Sequence, residues 1–74
     1  MNIDRLIKMA NEIGSFFAAE PDREEAARGV ANHISRFWEP RMRREIITHL
    51  QRGGGGLDDI ARRGIALVAA QASK

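Results

Sequence analysis

The 74-residue chain contains no cysteine. That excludes a disulfide framework, a thiolate metal site, an iron–sulfur centre held by this chain and a cysteine nucleophile, and it fits a reducing compartment. No apolar run approaches the ~20 residues needed to cross a bilayer as a helix. The opening MNIDRLIKMANEIG is broken by charge too often to read as a signal peptide, so the expected location is the cytoplasm. No stretch alternates with the period of a strand, and no segment repeats. The basic excess is small, a net charge of +2, too little to point to nucleic acid by itself. A chain this short makes a single domain that buries only about 60% of its unfolded surface, so a stabilising partner is plausible from the outset.

What is present is helical patterning between two prolines, Pro21 and Pro40, and a run of four glycines. The spacing predicts an all-α fold, a small single-domain bundle of three to four short helices over about 3–19, 22–38, 40–52 and 58–71. In the first helix Ile3, Leu6, Ile7, Met9, Ala10, Ile13, Gly14, Phe16 and Phe17 fill one half of the wheel, with Asn2 as N-cap. The second helix opens at Asp22 and carries small apolar residues first (Ala26, Ala27, Val30, Ala31) and large ones last (Ile34, Phe37, Trp38). Pro40 suits the first position of the third helix, whose stripe is Met42, Ile46, Ile47 and Leu50. Gly53 is a C-cap, and Gly53–Gly56 reads as a flexible hinge or loop. It lacks the Gly-Lys-Ser/Thr ending of a phosphate-binding loop. The fourth helix begins at Asp58 or Asp59. Gly64, in the middle of its apolar stripe, costs about 1 kcal/mol relative to Ala, which close approach of another helix would offset. The tail 71–74 is expected to fray.

No group of residues makes a catalytic constellation. His33 and His49 border apolar stripes on different helices, as packed boundary histidines do, and no third ligand completes a metal site. The carboxylates fall on polar faces and caps, and Ser15 and Ser35 have no adjacent base. The chain is therefore expected not to be an enzyme by itself, and to hold neither cofactor nor metal. Charge is asymmetric: Glu12, Glu20, Asp22, Glu24 and Glu25 crowd residues 12–25, whereas five arginines fall in 36–52. That suits an oriented encounter with a partner.

The densest stretch is Arg36-Phe37-Trp38-Glu39-Pro40-Arg41-Met42-Arg43-Arg44, with the only Trp and four of the twelve basic residues. Phe37 and Trp38 are expected to join the core on the stripe side of the second helix. Arg41 and Arg44 lie on the polar face of the third helix. Arg43 falls between Leu50 and Ile47, inside the apolar arc, where it either snorkels or meets a carboxylate. The first helix offers more apolar surface than two short neighbours cover, with Met9 and Phe16 at the rim, so some of it should stay exposed.

The segments MANEIGSFF, GVANHISRFWEPRMRREI and GGGGL resemble the delta subunit of the NAD-dependent, molybdenum-containing formate dehydrogenase. The resemblance spans nearly the whole chain, and its most specific part runs from His33 through Phe37-Trp38-Glu39-Pro40-Arg41-Met42-Arg43. It implies a non-catalytic accessory subunit. In such complexes the alpha subunit carries the bis-molybdopterin guanine dinucleotide cofactor with Mo and iron–sulfur clusters. The beta and gamma subunits carry FMN, further clusters and the NAD site. The delta chain is then expected to bind alpha and to support assembly, cofactor retention or stability, without contacting nucleic acid or membrane. The expected docking residues are Phe37, Trp38, Pro40, Arg41, Met42, Arg43 and Arg44, with His33. Three alternatives are a transient role in loading the molybdenum cofactor, a small basic DNA-binding domain that reads DNA with its third helix, and self-association of the isolated chain through its first helix.

Overall fold

The computed structural model describes residues 2–72, and within them the chain folds into four helices with no strand. These are α1 (Ile3–Phe17), α2 (Arg23–Phe37), α3 (Pro40–Gln51) and α4 (Asp59–Ala72). The all-α expectation is met. The ends differ from the sequence reading by up to two residues. α1 stops at Phe17 rather than Ala19, because the Ala18 amide turns back onto the Ser15 carbonyl at 3.3 Å and tightens the last turn. α4 continues through Ala72, and the rest of the tail expected to fray, Ser73 and Lys74, lies outside the described residues.

Caps account for the starts. Asn2 Oδ1 accepts from the Asp4 amide at 2.9 Å, and Asp22 Oδ1 accepts from the Glu24 and Glu25 amides at 3.0 and 3.3 Å. Each helix sends at least one side chain to a common centre: Leu6 from α1, Val30 and Ile34 from α2, Ile46 from α3 and Ile65 from α4 are fully buried. Burying each is worth roughly 1.5–3 kcal/mol before entropy is set against it. α4 packs most extensively on α2, and α1 rests against the other three helices.

Glycine and alanine set the closest approaches. A Cβ placed on Gly64 would sit 2.5 Å from Val30 Cβ and 3.2 Å from the Ala27 carbonyl oxygen, so the α2–α4 seam admits only hydrogen at that point. The expected role of Gly64 as a contact glycine is thereby explained. Gly14 plays a milder version of the same part, with its would-be Cβ 3.2 Å from the Ala61 amide nitrogen.

The glycine segment differs from a hinge. Gly53, Gly54 and Gly56 have φ of 114°, 65° and 84°, which L side chains rarely adopt. Side chains from three helices then hold it. Arg62 of α4 donates to the Gly53 and Gly54 carbonyls at 2.9 Å each, and His49 Nε2 of α3 meets the Gly55 carbonyl at 2.8 Å. Asn11 of α1 donates to the Gly56 carbonyl and accepts from the Asp58 amide, both at 2.8 Å. The composition of a flexible linker is used here for its φ range, and α4 is seated on the bundle rather than free to swing.

Candidate functional site

The α2–α3 corner takes its shape from Pro40. The proline disfavours helical geometry at the residue before it, and both Glu39 (ψ 153°) and Trp38 (ψ 140°) are extended. Once Trp38 leaves the helix, its side chain no longer follows the α2 wheel. The two neighbouring aromatics then part. Trp38 turns inward and is 5% exposed, whereas Phe37, at the last turn of α2, is 70% exposed. The expectation that both would be core holds for Trp38 alone. Phe37 instead lies against His33, ring centroids 4.8 Å apart, on the outside of α2.

Arg43 resolves differently from either sequence option. It neither projects freely nor meets a carboxylate. Its guanidinium donates to the carbonyl of Trp38 and, at 3.4 Å, to that of Ser35. These carbonyls belong to the end of α2, so a cation from α3 caps the negative pole of α2. The apolar arc is where that reach begins, which is why the wheel shows Arg43 in the wrong company. Of the remaining residues in the expected docking set, Pro40, Arg41 and Arg44 are exposed and Met42 is half-buried against the core. Arg41 Nε stands 4.0 Å from Glu45, a loose surface pair.

The proposed residues therefore divide among three places. Trp38, Met42 and Arg43 build the corner. Arg44 faces a recess of about 470 Å³ with Ile3, Glu45, Thr48, His49 and Arg52, between α3 and the start of α1. Phe37 and His33 lie beside or within an apolar groove between α1 and α2, of about 510 Å³. Its walls are Met9, Glu12, Ile13, Phe16 and Phe17 of α1 and His33 of α2, and it reaches Trp38. Phe17 packs against Gly29, where a Cβ would come 2.5 Å from its ring. Phe16 meets Phe17 edge-on at 5.0 Å and is 78% exposed. Exposure at the α1 rim was legible in the excess apolar arc. The part of Glu12 on the groove wall was not, because the wheel places it on the polar half.

Among the described residues, no three His, Asp or Glu side chains converge to hold a metal ion, and no helix is long and apolar enough to cross a membrane. The Asp59 carboxyl is held below its ordinary range, by a hydrogen bond from Arg23 first and then by Arg63. Both arginines contact it on the surface, at 2.5 and 3.2 Å: Arg23 ties α2 to the start of α4, and Arg63 pairs with it one turn along α4.

The chain matches the family model described as the NADH-dependent formate dehydrogenase delta subunit FdsD over residues 5–65, which takes in the groove, the corner, the glycine loop and the first half of α4. No curated protein and no solved structure matched.

Proposed function

We propose that this chain, which belongs to the NADH-dependent formate dehydrogenase delta subunit family, is a non-catalytic accessory subunit that binds the catalytic alpha subunit and supports assembly, cofactor retention or stability of the complex. The observation that carries this reading is the pair of phenylalanines left outside a small, well-filled core. Phe16 and Phe37 are 78% and 70% exposed, one on each of the helices that flank the groove. Leaving two aromatic rings in water forgoes stabilisation that a marginal domain needs, unless a second surface covers them. Aromatic side chains of this kind dominate the energetics of binding surfaces.

In this reading the outward part of the corner, Phe37 with Pro40, Arg41 and Arg44, joins His33 and Phe16 in docking. Trp38, Met42 and Arg43 support that surface from behind. The bis-molybdopterin guanine dinucleotide with Mo, the iron–sulfur clusters, FMN and the NAD site belong to the alpha, beta and gamma subunits. A chain with no cysteine has no thiolate to offer a cluster, which supports that division.

Affinity capture of this chain from cells producing all four subunits tests the proposal. The expected result is alpha retained through washing, with this chain at a fixed ratio in the active complex. An active complex that lacks the chain would reduce its role to a transient one, and capture without alpha would overturn the reading.

A further inference from the structure

We propose that the α1/α2 groove receives an amphipathic helix of the partner, whose apolar side anchors between Met9, Ile13, Phe16 and Trp38 and which carries a Lys or Arg to Glu12. This inference rests on the accessory-subunit reading and adds the chemistry of the segment that docks.

Three observations carry it. The first is charge. Glu12 is the only formally charged residue among those lining the groove; no Lys or Arg lies on its walls, and His33 stands on the α2 side. Among the described residues Glu12 has neither an ion pair nor a side-chain hydrogen bond, and it shares the lack of an ion pair with Asp4, Glu24, Glu39 and Asp58, none of which lines this groove. The arginines of residues 41–52 are held on α3, at the corner or beside the other recess. An apolar trough with one unneutralised carboxylate on its rim is complementary to an apolar segment with one cation.

The second is backbone chemistry. Both long walls are helices, so their amide and carbonyl groups are already used within α1 and α2. An extended segment laid in this groove would find no edge with which to pair, and its own backbone groups would lose water without compensation. A helix brings its backbone bonds satisfied, which is the mode by which apolar grooves between helices take a partner.

The third is length. From Met9 to Phe16 the α1 wall spans seven steps, about 10 Å of helix at 1.5 Å per residue. That is two turns, the span of apolar anchors at i, i+3 or i+4, and i+7 on a docking helix.

The test uses the assembled complex, with the photoreactive residue p-benzoylphenylalanine in place of Phe16 and, as a comparison, in place of Leu67 on α4. Mass spectrometry then identifies the peptide joined to each. The expected product from position 16 is an alpha-subunit peptide with apolar residues at that spacing and a Lys or Arg within one turn of them. Glu12→Arg should weaken binding roughly tenfold and Glu12→Gln by less, and changing the partner's basic residue to Glu should restore binding to Glu12→Arg. The proposal is overturned by an intact complex that crosslinks only from position 67. It is equally overturned by a position-16 product that is a second copy of this chain or a segment without a basic residue. Those outcomes leave the accessory-subunit reading standing; failure of the unmodified chain to retain alpha would end both.

Discussion

Along α2, the flank that meets α4 is closed by small residues, while the flank beside the second half of α1 carries large ones and stays open. On the α4 side Ala27, Val30 and Gly64 bring the two backbones so close that a single methyl group at position 64 has no place to go. On the α1 side Met9, Ile13, Phe16 and Phe17 face His33 and Trp38 across a groove of about 510 Å³. Both flanks are apolar, so hydrophobicity alone does not distinguish them. Side-chain size does. Small residues commit their surface to folding, because backbone approach leaves nothing uncovered. The large residues along the α1 flank leave part of theirs uncovered.

The closed flank should break with the largest effect. Gly64→Ala forces its new Cβ toward Val30 Cβ and the Ala27 carbonyl. The expected loss is about 1–3 kcal/mol, and each kcal/mol lowers the melting temperature of a domain this size by roughly 4–8 °C. Thermal unfolding followed by circular dichroism measures it, and an unchanged melting temperature would show that the seam is looser than the structure has it. Arg43→Met comes next. It keeps an apolar stem but removes the donors to the carbonyls of Ser35 and Trp38, for an expected loss of about 1–2 kcal/mol. The same unfolding experiment decides it, and a variant as stable as the parent would reduce Arg43 to a snorkelling side chain.

How much of this was legible beforehand follows the same division. The helices, the caps at Asn2 and Asp22 and the contact role of Gly64 came from periodicity and local chemistry, which act within one or two turns. The separation of Phe37 from Trp38 did not, since the wheel assumes that both are helical and Pro40 removes Trp38 from the helix. Arg43 stood out as an anomaly, yet its target is a helix end brought near only by the turn of the corner. Composition left Gly53–Gly56 as a flexible hinge or loop, because its ties, Asn11 from α1 and Arg62 from the following helix, depend on how the helices pack and are invisible to composition. Of the expected docking residues, the structure leaves Phe37, Pro40, Arg41 and Arg44 on the surface and buries Trp38, a division that the wheel does not show.

A smaller effect tests the ionic tie across the closed side. The Asp59 carboxyl is held below its ordinary value by Arg23 and Arg63. A depressed folded-state pKa contributes stability above the unfolded value, near 4, and loses it as the pH falls through the folded one. Between pH 5 and pH 3 the parent should therefore lose more stability than Asp59→Asn. The difference is slight because all three side chains are at least half exposed. Parallel acid-unfolding curves would refute the contribution.

The open flank should show the smallest effect on folding and the decisive one on binding. Phe16→Ala combined with Phe37→Ala removes two rings that are mostly in water, so the fold should keep its stability within about 0.5 kcal/mol. The direct measurement is the affinity of this double variant for the alpha subunit, taken on protein shown by circular dichroism to melt like the parent. The account predicts binding at least tenfold weaker with the fold intact; a double variant that folds normally and binds alpha as tightly as the parent would contradict it.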